Sequence, residues 1–170
     1  MIRYNLGCGN KIYDGYINVD IVKIKNDKIN KDNFLQADIT KYDFGKECVD
    51  EFFLDNVLEH FSFDDAHHLL VKLKKALVQN GKLIIIVPEF EKLTEAILAL
   101  SPADLLSAKW FKYNLLGVGD NLYNTHKSFY SKEIMKYVLN FAGFKIVEAM
   151  VFPYPKQGCY HLKVVCVKND

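Results

Sequence analysis

Asn5-Leu6-Gly7-Cys8-Gly9-Asn10 and, shortly after it, Gly15-Tyr16-Ile17-Asn18-Val19-Asp20 are the stretches that decide the fold of this 170-residue chain. Ile2 to Leu6 reads as a short strand that stops at Gly7-Cys8-Gly9, and Tyr16 to Asp20 reads as a second strand after the turn signal Asp14-Gly15. Two glycines at a strand end let the backbone approach a ligand and turn its N–H groups toward an anionic group. A purely structural strand-end turn explains the pair equally well. The acids that follow add weight: Asp20 ends the second strand, and Asp38 ends a third, Phe34-Leu35-Gln36-Ala37-Asp38. A carboxylate at the first position can accept both hydroxyls of a ribose, and one at the second can accept an adenine amine. Either alone reads as an ordinary solvated strand end. Three consecutive strands ending in such groups suit a nucleoside laid along one sheet edge.

Outward from there, the periodicity changes several times. Val49 to Leu54 is a largely apolar strand, and Ser62-Phe63-Asp64-Asp65 is a capping pattern for a helix whose buried stripe is Leu69, Leu70, Leu73 and Leu77. Asn80-Gly81 is read as the end of that helix. Leu83-Ile84-Ile85-Ile86-Val87 is apolar on both faces, as befits the middle of a covered sheet. Ser101-Pro102-Ala103-Asp104 opens another helix. Residues 112 to 130 have poor periodicity, and the segment 101 to 130 is expected to form a lid over the carboxyl edge of the sheet. Ser131 to Ala142 is a helix closed by Gly143, and Phe144 to Phe152 and His161 to Val167 are the final strands. Such alternation predicts a doubly wound, mostly parallel α/β sheet in one domain spanning 1–170.

Composition narrows the function. The longest apolar run, Leu83 to Val87, is far too short for a bilayer, and the N-terminus has no signal-peptide pattern. A cytoplasmic protein without membrane partners is therefore expected, and Cys8, Cys48, Cys159 and Cys166, which form no C-x-x-C pair, are expected to be reduced thiols. No metal site is expected: the only adjacent histidines, His67 and His68, point in different directions on a helix. The net charge is +1 and Arg3 is the only arginine, which argues against sequence-specific nucleic-acid binding.

The motifs resemble those of class I S-adenosylmethionine-dependent methyltransferases, particularly small bacterial and phage members, over almost the whole chain. The matching pieces are Asn5 to Asn10, Gly15 to Asp20, Val49 to His60 with its ending Asn56-Val57-Leu58-Glu59-His60, and Gly81-Lys82-Leu83 leading to Val87-Pro88. His126-Lys127-Ser128-Phe129-Tyr130 and Ala142-Gly143-Phe144 complete them. The resemblance implies a Rossmann-like seven-stranded sheet, with six parallel strands and an antiparallel seventh between the fifth and sixth. It implies that Gly7 and Gly9 face the methionine part of S-adenosylmethionine, Asp20 the ribose, Asp38 the adenine, and Asp55-Asn56 the reactive end. Asn5, Cys8, Ile21 and Ile39 complete the expected cofactor set, and Glu59, His60 and His126 are the candidate catalytic groups.

Two departures stand out. The family usually has an acid where Asn5 stands and often a glycine where Lys11 stands. Gly7 to Gly15 is also short for a parallel crossover, so the first helix is expected to be reduced or missing, with a hairpin as the alternative. The cofactor carboxylate would then be held by loop N–H groups and by Lys11 or Arg3. A nicotinamide-binding reading needs a third glycine, a real helix and an acid about 20 residues on, none of which fits here. A Pro-Pro-aromatic turn for a flipped base is absent after the fourth strand. Methyl transfer to an oxygen or nitrogen of a small molecule or saccharide is therefore expected. A non-catalytic scaffold of the same fold is the competing reading, and oligomerisation is left open.

Overall fold

The computed structural model describes residues 1–23, 32–117, 123–154 and 159–169, without the side chain of Trp110. Seven strands, β1 (Arg3–Leu6), β2 (Ile17–Asp20), β3 (Phe34–Gln36), β4 (Val49–Asp55), β5 (Leu77–Pro88), β6 (Phe144–Pro153) and β7 (Tyr160–Lys168), form one sheet in the order β3-β2-β1-β4-β5-β7-β6. The pairs β1–β2, β2–β3, β1–β4 and β4–β5 are parallel, and β7 runs antiparallel to both β5 and β6. The expected slip of an antiparallel seventh strand between the fifth and sixth is thus present.

The β1–β2 link is a crossover, not a hairpin, since Tyr4, Asn5 and Leu6 pair in parallel with Ile17, Asn18 and Val19. No helix lies between them. Two buried asparagines stabilise the loop in its place. Asn5 Nδ2 donates to Lys11 O at 2.7 Å and to Asn18 Oδ1 at 2.8 Å, while Asn18 Nδ2 reaches the carbonyls of Tyr13, Tyr16 and Asn33. A carboxylate at position 5 could donate neither of the first two bonds. The missing helix and the missing acid are one adaptation.

Helix α1 (Phe63–Ala76) starts where Ser62 Oγ accepts from the Asp65 N–H, and buries Ala66, Leu69, Leu70, Leu73 and Ala76. With Met135 and Leu139 of α5 (Lys132–Phe141) these side chains close over Leu6, Phe52, Leu54, Leu83 and Ile85 in a single core. Gly143, at φ 81°, ends α5 as expected.

Three expectations are corrected. Helix α1 ends at Ala76, and Asn80-Gly81 lies inside β5, where the pairing jumps from Val49–Leu77 to Glu51–Lys82. Asn80 adopts the left-handed conformation its type tolerates (φ 62°), but to bulge a strand rather than to stop a helix. Residues 109–116 form a helix, α4 (Lys109–Leu116), after α2 (Phe90–Leu98) and α3 (Pro102–Ser107), which Ser101 caps. Residues 118–122 of the expected lid lie outside the described set. The third correction concerns β5: Leu83, Ile85 and Val87 are fully buried, whereas Ile84 and Ile86 are only half-buried. On that second face, with no β1–β2 helix, Tyr13 and Tyr16 each meet Phe53 edge to face and tilt against one another.

Candidate functional site

A cavity of about 1030 Å³ opens at the carboxyl ends of β1, β2 and β4. The expected cofactor residues Gly7, Cys8, Gly9, Asp20, Ile21, Asp38, Ile39, Asp55 and Asn56 all line it, though they come from widely separated segments of the chain. Asn5 does not; its amide is used beneath the loop. Arg3 lies at the opposite end of β1, its guanidinium 4.7 Å from the centre of the Tyr16 ring, whereas Lys11 borders the cavity.

The loop after β1 follows from its glycines. Gly7 has φ 60°, and a Cβ there would sit 2.7 Å from Val57 Cγ2. Backbone and Val57 can approach this closely only because position 7 has no side chain. Gly9, at φ 48°, would carry a Cβ into open space, so its backbone is exposed to whatever enters. Its N–H donates to Asp20 Oδ2 at 2.9 Å, and the Val22 N–H donates to Asp20 Oδ1 at 2.9 Å. Asp20 is therefore fixed in direction, and each oxygen keeps acceptor capacity for a ligand hydroxyl. Asp38 is held by the Thr40 backbone N–H and hydroxyl, with Lys41 at 3.4 Å. Burial works against the Asp38 charge, yet the Thr40 bonds and Lys41 outweigh it and its pKa is lowered. Burial, followed by the Asp20 charge, pushes the Cys8 thiol up to about 12, so Cys8 is an unreactive part of the wall.

At the end of β4, Asn56 adopts φ 56°, which turns the chain sharply out of the sheet. Asp55 is ion-paired with Lys11 at 2.6 Å, and Lys11 also donates to the Tyr154 hydroxyl at 2.7 Å. Burial opposes the Lys11 charge, but the bonds to Asp55 and Tyr154 raise its pKa overall. Tyr154 stacks on His161 at 3.8 Å, and His161 Nε2 lies 2.9 Å from Asn56 Oδ1. Burial, then the Lys11 charge, lowers the His161 pKa to about 4. Sequence reasoning missed Tyr154 and His161. Tyr154 follows β6 and His161 lies in β7, so both come beside the end of β4 only through the sheet order.

The three candidate catalytic groups are brought together. A single 3-10 turn, Leu58–His60, carries Glu59 and His60, and the Lys127 and Ser128 N–H groups donate to Glu59 O, which draws the 126–128 segment beside it. The His60 and His126 rings meet edge to face at 4.9 Å, and His126 Nε2 is 4.0 Å from Glu59 Oε1. His60 lines the large cavity, while Glu59 and His126 lie behind it around a void of about 10 Å³. His60 Nδ1 is 3.2 Å from Thr125 O. A carbonyl can only accept, so the neutral ring carries its proton on Nδ1 and leaves Nε2 as a lone pair. Desolvation lowers the His60 pKa and, with His60 nearby, takes His126 down to about 4. Burial raises Glu59 to about 8, and both of its carboxylate oxygens are buried without a hydrogen-bond partner.

Of the aromatic residues at 123–130, Tyr123 lines the cavity, Tyr130 is fully buried and Phe129 stacks on Phe90 at 4.5 Å. Most of this set therefore holds the segment down.

Residues 5–85 match a family described as a methyltransferase domain. No curated protein matches the chain in sequence. Among solved structures the chain is similar to 1,6-didemethyltoxoflavin-N1-methyltransferase from Burkholderia thailandensis, crystallised with 1,6-didemethyltoxoflavin and S-adenosylhomocysteine. That likeness has 17% identity and a TM-score of 0.69 over 99% of this chain and 71% of that one. An S-adenosylmethionine-dependent methyltransferase from Methanosarcina mazei aligns at 12% identity and TM-score 0.67, over 98% and 92% of the two chains. A methyltransferase from Haloferax volcanii in complex with the Trm112 activator aligns at 15% identity and TM-score 0.68, over 99% and 82%. Among the described residues no helix is long and apolar enough to cross a membrane.

Proposed function

We propose that this chain is a class I S-adenosylmethionine-dependent methyltransferase, a reading supported by its sheet order and by the match of residues 5–85 to a methyltransferase domain, and that it methylates an oxygen or nitrogen of a small molecule or a saccharide. The observation that carries the proposal is the cavity. At about 1030 Å³ it exceeds the roughly 300–1,000 Å³ of single-ligand sites, and beyond the cofactor residues it is bordered by His60, His68, Tyr123, Asn124 and Lys127. Space beyond the cofactor, bordered by polar side chains such as His60, Asn124 and Lys127, suits a compact polar acceptor. The Burkholderia neighbour binds a small molecule, 1,6-didemethyltoxoflavin.

The chain's residues fit the cofactor: an open backbone at Gly9, a pre-oriented carboxylate at Asp20, a second acid at Asp38 and a cation at Lys11. Asp20 would hold the ribose, Asp38 the adenine amine, and Lys11 with the loop N–H groups the carboxylate. When bound, the cofactor supplies a methyl group on a sulfonium, whose carbon–sulfur electrons return to sulfur as the acceptor's lone pair takes the carbon. The protein's main tasks are alignment and exclusion of water. In this reading His60 Nε2 would accept the proton the acceptor sheds, with Glu59 and His126 behind it. Four cysteines outside any disulfide suit a reducing compartment such as the cytoplasm.

The test is an acceptor panel of phenols, heterocyclic amines, saccharides, peptides and nucleic acids, read by S-adenosylhomocysteine release and product mass. Turnover confined to peptides or nucleic acids would refute the acceptor class. No S-adenosylmethionine binding at millimolar ligand would refute the reading as a whole.

A further inference from the structure

Glu59 is the least explained group in the molecule. Its carboxylate is fully buried, neither oxygen has a hydrogen-bond partner, and His126 Nε2 lies 4.0 Å from Oε1. A buried polar group without a partner costs about 1–3 kcal/mol, and more when charged. Such an arrangement normally marks an ion or water that completes it. Beside it is the void of about 10 Å³, room for a single water-sized body. One ligating atom from each of Glu59, His60 and His126 lies within 4.8 Å of the other two.

We propose that Glu59, His60 and His126 form a binding site for a first-row divalent cation of the zinc type. Two imidazoles and one carboxylate are a three-ligand set that leaves coordination positions open. With bonds of about 2.1 Å, ligands at the corners of a tetrahedron sit about 3.4 Å apart, so side-chain movements of roughly 1 Å close this cluster onto an ion. The surrounding bonds support the rings as ligand-orienting groups do elsewhere. His60 Nδ1 is held by Thr125 O, and the His126 backbone N–H donates to Leu116 O at 3.1 Å. The turn carrying Glu59 and His60 is itself fixed to the 126–128 segment through Glu59 O.

Because His60 borders the large cavity, an open coordination position on that side faces the space assigned to the acceptor. A cation there would lower the pKa of an acceptor hydroxyl directly, the task otherwise given to His60 as a base. That consequence rests on the methyl-transfer reading, but the existence of the site does not.

The test uses the full-length protein, stripped of metal by chelation, with no methyl donor present. Titration with Co²⁺ is expected to saturate at one ion per chain, with visible d–d absorption that Zn²⁺ abolishes. Glu59→Gln and His126→Asn are expected to weaken binding by at least about tenfold, while circular dichroism reports a folded chain. X-ray absorption of the zinc-loaded unmodified protein is expected to show imidazole and oxygen donors without sulfur, a measurement that holds even where a variant fails to fold. Absence of saturable binding at millimolar Co²⁺, unchanged affinity in both folded variants, or sulfur in the coordination shell overturns the proposal. None of these results touches the acceptor panel, so the two readings fail separately.

Discussion

At the scale of single residues, the site shows side chains fixed before any ligand arrives. Asp20 has both oxygens anchored by backbone N–H groups, so under the proposed assignment a ribose would meet a carboxylate that needs no reorganisation. Charge-assisted bonds of roughly 1.5–3 kcal/mol make it the most costly side chain to remove, and Asp20→Ala should weaken S-adenosylmethionine binding at least tenfold by calorimetry. An unchanged dissociation constant in the folded variant would remove the ribose assignment. His60 makes the complementary prediction. It lines the cavity whereas His126 stands behind it, so His60→Ala should lower kcat by about 10²- to 10⁴-fold with little change in cofactor affinity. If affinity collapses and kcat does not, His60 belongs to the cofactor wall.

At the scale of elements, the decisive feature is a crossover that dispenses with its helix. The strand-end glycines and acids were legible because their spacing follows the strands, and Asp20, Asp38 and Asp55 do converge on one cavity. The path between β1 and β2 was not legible, because it depends on Asn5 and Asn18, which look like ordinary polar residues until their amides are seen to satisfy the loop. Asn80-Gly81 misled for a related reason: left-handed tolerance is the same for a helix stop and for a bulge, and only the Val49–Leu77 pairing distinguishes them. Helix α2 escaped notice because its cap is a glutamate, Glu89 Oε2 accepting the Lys92 N–H, in place of the usual short side chain. The Glu59–His60–His126 cluster spans two distant segments, and no local spacing announces it. The crossover also makes a prediction. Gly7→Ala combines a positive φ with a contact of 2.7 Å to Val57 Cγ2, and should cost about 1–3 kcal/mol in chemical denaturation. Val57→Ala in the same chain should restore part of that loss by removing the clash while leaving the φ penalty. A neutral Gly7→Ala would mean the loop relaxes without strain.

For the whole molecule, three buried titrating groups give stability a pH dependence whose sign can be worked out. Glu59 has a folded pKa of about 8 against 4.5 unfolded, so from pH 4.5 to 8 the folded chain holds a proton that the unfolded chain has lost. Its contribution is complete below pH 4.5 and is lost as the pH rises to about 8. His126 and His161 behave in the opposite way, with folded values of about 4 against 6.5 unfolded. Their contributions are complete above pH 6.5 and are lost as the pH falls through about 4. Between pH 4.5 and 6.5 two histidines outweigh one glutamate and stability rises with pH; from 6.5 to 8 the glutamate acts alone and stability falls. Thermal unfolding in the presence of a chelator should therefore give a maximum Tm near pH 6.5. Glu59→Gln should remove the decline above that maximum, and His161→Asn should flatten the slope below it. A bound cation would keep Glu59 ionised at neutral pH and erase the alkaline decline in the unmodified chain. The difference between curves with chelator and with Zn²⁺ thus links the stability of the fold to the occupancy of the cluster. An alkaline decline that persists in Glu59→Gln would assign that limb to another group.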